Sequence, residues 1–262
     1  MMRLRSFVLA AVAGVLLAVP CFAETPAAPA SAPAASSSFT DKQKTDLEQI
    51  IRDVLQKNPE IIVNAAQAFQ MKQAQEADKK AAEAVVQYKD QLFNDPKDPV
   101  EGNPKGTVQI VEFFDYNCGF CKKAHDPILE LVKAEKDVKL VYKQMPILAD
   151  SSKVAAKAAL GAAAQGKYIA MHNALMEHKG SLDDATIMDI ATKVGVDRDK
   201  LKKDMESPEV AGHLAVDMDL ANKLGAHGTP TFVFGDKVVP GAMSLEEMKK
   251  LVDEERQKQK KG

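Results

Sequence analysis

Two cysteines three positions apart, in Cys118-Gly119-Phe120-Cys121, are the residues of this 262-residue chain best suited to chemistry. Sulfurs at the two ends of one helical turn can exchange with an outside disulfide, close an inert staple, or hold a soft metal ion. The flanking residues bear on which. Val108-Gln109-Ile110-Val111-Glu112-Phe113-Phe114 precedes the pair and reads as a buried strand, rich in β-branched and aromatic residues. Lys122, Lys123 and Ala124 follow and read as a helix start. The first sulfur then stands at a helix N-terminus, where free N–H groups and the helix dipole favour a thiolate. That is the setting of a redox-active cysteine. The alternative is a copper- or zinc-handling protein using the same thiols, with His125 one turn on as a third ligand. A single C-x-x-C without a second pair is a weak metal signature.

The third cysteine, Cys21, belongs to a segment with the layout of a secretory signal. Arg3 and Arg5 precede an apolar stretch from Phe7 to Val19, and Cys21-Phe22-Ala23 supplies the cleavage site. Cleavage after Ala23 removes Cys21 and leaves Cys118 and Cys121 as the only pair. A lipidated Cys21 is the rival reading, disfavoured by Pro20 directly before it. Export places the working protein in a bacterial envelope, the periplasm, where disulfides form. The formal charge of −2, or −4 without the signal, and the lack of a basic stripe argue against a nucleic-acid partner.

The elements that must hold the dithiol divide the chain. Residues 1–23 are the signal, and 24–38 an Ala/Pro/Ser linker without apolar surface to fold. Residues 39–95 read as helical: Thr40 and Gln43 form a capping box, and Leu47, Ile50, Ile51, Val54 and Leu55 share one face. Asn58-Pro59-Glu60 starts a second helix, roughly 50 Å long if unbroken. Two such helices cannot cover both apolar faces against each other, so 39–95 is expected to be an oligomerisation and stalk region. Residues 96–262 alternate strand, helix and strand, then a helical block about 150–224, a hairpin through Gly235-Asp236, and a last helix capped by Ser244. This is an α/β thioredoxin fold with a helical insertion, preceded by an α-helical oligomerisation region.

The stretch from Gly102 to Lys122, with Glu112-Phe113-Phe114-Asp115-Tyr116-Asn117-Cys118-Gly119-Phe120-Cys121 at its centre, strongly resembles the DsbA-like thiol:disulfide oxidoreductases. Gly228-Thr229-Pro230-Thr231-Phe232 is similar to the family's cis-proline segment, and the preceding helices resemble those of the oligomeric ScsC-like branch. The resemblance implies Cys118 as nucleophile and Cys121 as resolving thiol. It also implies a cis bond between Thr229 and Pro230 with the Thr229 backbone free for substrate, and Glu112 as the buried acid below the disulfide. Lys143 is a candidate partner for Glu112 on the neighbouring strand. His125 reads as a packing or helix-surface residue, and His227 as either a rim or a plain loop histidine. The resemblance implies no cofactor beyond the dithiol and no metal. Its expected partners are exported cysteine-containing proteins, a membrane redox partner of DsbB or DsbD type, and further copies of the chain. Strong oxidants of the family carry a histidine where Phe120 stands, and Gly-Phe is similar to the Gly-Tyr pair of DsbC-type isomerases. Isomerase or bifunctional activity is therefore favoured over pure oxidation.

Overall fold

The computed structural model describes residues 39–260. The expected signal, the Ala/Pro/Ser linker and Cys21 lie outside them. The chain divides into two compact units at Pro59–Glu60. The described part of the first is α1 (Asp41–Lys57), opened by the reciprocal Thr40–Gln43 capping box. Asn58, in the motif expected to start the next helix, closes this one: its side chain donates to the Val54 carbonyl at 2.9 Å. Leu47, Ile50, Ile51 and Val54 are all exposed.

The second unit starts with α2 (Glu60–Gln87), whose Ile61, Ile62, Phe69 and Met71 are exposed while Ala84 and Val85 are buried. The second helix, expected as one long stalk, breaks at Tyr88 and restarts as α3 (Lys89–Phe93). Leu92 and Phe93 are buried, so the end of the expected stalk forms part of the core of the unit that carries the dithiol. Then follow β1 (Val100–Gly102), β2 (Val108–Phe114), α4 (Gly119–Ala134) and β3 (Val138–Gln144). The helical block is α5 (Asp150–Ala163), α6 (Tyr168–Glu177), α7 (Asp184–Lys193), α8 (Arg198–Met205) and α9 (Pro208–Lys223). The chain closes with β4 (Thr231–Phe234), β5 (Lys237–Pro240) and α10 (Leu245–Gln259).

The five strands lie in the order β1-β3-β2-β4-β5, with β2 and β3 parallel and every other pair antiparallel. Both faces of the central strands are covered, and β2 and β3 are accordingly almost continuously buried. Side chains alternate across the sheet. Ile110 and Phe114 join a core with α4, the helical block and α10. Val111 and Phe113 join a second core with the end of α2, α3 and α9. No helix among the described residues is long and apolar enough to cross a membrane.

Candidate active site

Phe114 ends β2, and four residues later the chain enters α4. Cys118 is the N-cap, with extended φ and ψ of −78° and 114°, and its sulfur accepts the Cys121 N–H at 3.4 Å. An N-cap normally supplies an oxygen to a free N–H of the first turn; here a sulfur takes that place. The Cys118 thiol in turn donates to the Thr229 carbonyl at 3.1 Å, across 111 positions of sequence. Both cysteines are free thiols. Cys118 keeps 4% of its surface exposed and Cys121 none, so an outside partner reaches only the first. Burial holds the Cys121 thiol far above its usual pKa, and the nearby Glu112 charge adds to this; the Asp115 backbone opposes both.

The Thr229–Pro230 peptide bond is cis. Its loop is tightened by the Thr231 hydroxyl donating to the Gly228 carbonyl at 2.7 Å, and by the Gly241 N–H donating to the Pro230 carbonyl at 2.8 Å. His227, just before this loop, is exposed. Phe120 projects from the first turn of α4 with 62% of its surface exposed, and the Lys123 ammonium lies 5.4 Å from its ring centroid.

Glu112 sits in the middle of β2, opposite Tyr142 on β3 and Phe232 on β4. It shares the face of Ile110 and Phe114, the face covered by α4, and its charge is felt at Cys121. Burial raises its carboxyl from the usual range to about 8. The expected pairing with Lys143 is not made. Lys143 stands opposite Phe113, one residue out of step with Glu112, and so faces the other side of the sheet.

There Lys143 is fully buried. Its ammonium lies 2.6 Å from Asp98 Oδ2 and 3.3 Å from Asp217 Oδ1, and it donates to the Gln91 carbonyl at 2.9 Å. His213 Nε2 closes the group, 3.3 Å from Asp98 and 3.5 Å from Asp217. Burial raises the Asp217 carboxyl to about 6, against the opposing pull of Lys143 and His213. Among the described residues, Asp98, His213 and Asp217 are the one set of three with ligand atoms within 4.8 Å of one another, and Lys143 already supplies their cation. The cysteines and His125 form no such set. Removing one partner of a buried ion pair is far costlier than the pair is worth. Lys143→Met is therefore expected to lower the unfolding free energy by about 3–5 kcal/mol, read from urea denaturation.

His125 is buried on α4, its ring 5.4 Å from that of His172, and burial lowers its pKa. His172 is packed among Phe114, Tyr142 and Tyr168, and its Nδ1 lies 3.1 Å from the Tyr116 hydroxyl. This aromatic cluster, in the same core as the dithiol, was not read from the sequence, although Phe114 and Tyr116 mark its start. Asp115 was also missed; its buried carboxylate accepts three backbone N–H groups.

Residues 109–253 match the DSBA-like thioredoxin domain, and residues 43–76 match the copper resistance protein ScsC N-terminal domain. The crystal structure of a thioredoxin-like oxidoreductase from Silicibacter pomeroyi DSS-3 is 49% identical, covers 64% of this chain and 97% of that one, and superposes with a TM-score of 0.63. Proteus mirabilis ScsC in a transitional conformation is 30% identical over 84% of this chain and 98% of its own, with a TM-score of 0.62. The Na(+)/H(+) antiporter NhaA 3 of Salinispora tropica is 30% identical over 152 residues, 57% of this chain. The present chain spans only 23% of that relative's length. The match to the DSBA-like domain runs from β2 into α10 and takes in more than half of the residues, so the chain belongs to the DSBA-like thioredoxin family of thiol:disulfide oxidoreductases.

Proposed function

We propose that this protein is an envelope thiol:disulfide oxidoreductase that forms, reduces and above all reshuffles disulfides of exported proteins, working as a homo-oligomer. The observation that carries the reading is the placement of Cys118. It is an N-cap sulfur, slightly exposed, against a backbone carbonyl that an extended client can also use, with its partner thiol buried one turn behind.

The chemistry follows from that asymmetry. The Cys118 thiolate attacks one sulfur of a client disulfide. A Cys118–client bond forms, the client S–S bond breaks, and the other client sulfur leaves as a thiolate. In isomerisation that thiolate attacks a different client disulfide, and a client thiolate finally displaces Cys118, with no net electron transfer. If the client stalls, Cys121 attacks Cys118, closing the internal disulfide and releasing the client reduced. Cys121 needs a base for this step because burial keeps its proton on. Glu112, with a carboxyl near 8 and close enough to influence that thiol, takes this role. Phe120, in the place of a charged or hydrogen-bonding residue, supports a less oxidising disulfide than that of the strongest family members. The signal-like N-terminus supports a periplasmic location, and an exported dithiol needs a membrane redox partner of DsbB or DsbD type to reset it.

Exposed apolar side chains recur along α1 and, separately, along the first turns of α2, and such clusters of large apolar side chains support self-association. Several dithiols in one assembly raise the local concentration of attacking thiols around a client. In the full chain, Ile50→Asp with Val54→Asp is expected to give a smaller species by light scattering. Insulin reduction should persist within about twofold, while reactivation of a scrambled disulfide protein drops about tenfold. An unchanged mass would remove the oligomer from the proposal, and reactivation equal to wild type from a dissociated protein would remove the isomerase.

A further inference from the structure

Asp115 lies between β2 and the nucleophile and is buried, yet its side chain has no part in the sulfur chemistry. One carboxylate oxygen accepts the Asn117 N–H at 2.8 Å. The other accepts the N–H groups of Ile147 and Leu148, each at 2.9 Å. Its own carbonyl accepts the Cys118 N–H at 3.0 Å. A carboxylate can only accept, and three backbone donors are what one needs in order to stay buried. A single residue thus fastens the approach to Cys118 to the segment between β3 and α5, more than thirty positions away. Asn117 adds a second fastening, donating to the hydroxyls of Ser151 at 3.0 Å and Ser152 at 2.9 Å.

The consequence lies on the outer side of that segment. With their N–H groups turned in to Asp115, Ile147 and Leu148 present their side chains to solvent, 40% and 54% exposed. A lone exposed leucine means little. Two consecutive apolar side chains, on a segment that a buried carboxylate ties to the backbone of the residue before the nucleophile, are held close to the chain that leads into Cys118. Thr229 offers a backbone acceptor at Cys118, and the Ile147–Leu148 segment offers apolar surface without free N–H groups of its own.

We propose that Asp115 is a positioning residue that holds Ile147 and Leu148 as an apolar ledge beside Cys118, so that the dithiol selects client cysteines with an apolar neighbour. This rests on the disulfide-exchange reading above. Without the carboxylate, the N–H groups of Ile147 and Leu148 lose their acceptor and the segment must turn to find water, which moves the ledge.

The test uses the reduced full-length protein and two short peptides, each with one cysteine in a mixed disulfide with thionitrobenzoate. They differ only in a leucine or a serine beside the cysteine. Attack by Cys118 breaks the mixed disulfide and releases the coloured thiolate, which gives a second-order rate for each. Wild type is expected to favour the leucine peptide about tenfold, the scale of an apolar side-chain contact. Asp115→Ala should bring the ratio close to one. Asp115→Asn, which keeps one accepting oxygen, should fall between. The double substitution Ile147→Ser with Leu148→Ser, which leaves Asp115 in place, should also bring the ratio close to one, and it carries the test if Asp115→Ala does not fold. A ratio near one in wild type, or a ratio kept in either the Asp115→Ala or the double variant, overturns the proposal while leaving the exchange chemistry standing. A wild type that reacts with neither peptide overturns the exchange reading as well.

Discussion

Replacing Cys118 with alanine is expected to abolish reaction with protein disulfides, a fall of at least about a thousandfold, because the other thiol cannot be reached. Cys121→Ser is expected to behave in the opposite way. The first attack persists, the resolving attack is lost, and client remains bound to Cys118. Non-reducing electrophoresis after incubation with a scrambled disulfide protein reads both outcomes: a ladder of mixed disulfides for Cys121→Ser and none for Cys118→Ala. The asymmetry rests on burial, since Cys118 keeps an exposed edge and Cys121 none. Ladders of similar intensity from the two variants would show that the sulfurs are interchangeable and would falsify their assignment.

The second large effect concerns stability and is expected at Glu112. Burial raises its folded carboxyl to about 8, whereas the unfolded chain loses that proton near 4.5. Between these values the native state holds a proton that the unfolded state has given up. Stability therefore falls as pH rises through the window, and the full penalty is present above about 8. The window corresponds to an effect on the order of 5 kcal/mol. Glu112→Gln removes the titration and keeps the shape. It is expected to match wild type near pH 4.5 and to melt roughly 10 °C higher at pH 8. On the proposed mechanism, in which Glu112 is the base for Cys121, the same variant should slow release of client from the Cys118 mixed disulfide. Equal melting temperatures at pH 8 would mean that the carboxyl is solvated or paired in solution. A gain in stability with unchanged release would make the acid a passenger.

What could be read in advance follows how local each signal is. Cys118, Cys121, the strand before them and the Thr229-Pro230 segment are contiguous patterns, and the structure places all of them at one end of β2 and β4. Thr40 and Ser244 were legible as caps because a cap is written within four residues. Strand β1 went unseen: three residues, Val100–Gly102, between Pro99 and Pro104 give periodicity nothing to act on. Lys143 was assigned to the wrong face because the β2–β3 register is a tertiary property, and one residue of slip reverses every side chain. Asp98 lies far from His213 and Asp217 in the chain, and the three carry no motif. Nothing near them in sequence says that a buried ammonium joins them. Asp115 is similar: two of the three N–H groups it holds are more than thirty positions downstream, so that part of its role had no local trace.

The hydrogen bond from the Cys118 thiol to the Thr229 carbonyl carries one more consequence. A thiol has a hydrogen to donate and a disulfide has none. When Cys118 and Cys121 are joined, that carbonyl loses its internal donor and has its accepting capacity restored. The dithiol form satisfies itself, and the disulfide form is left wanting an N–H. Client docking and electron occupancy are then thermodynamically linked: a chain that pairs with Thr229 binds the oxidised protein more tightly, and by the same free energy makes that protein harder to reduce. Electron uptake becomes its own release signal.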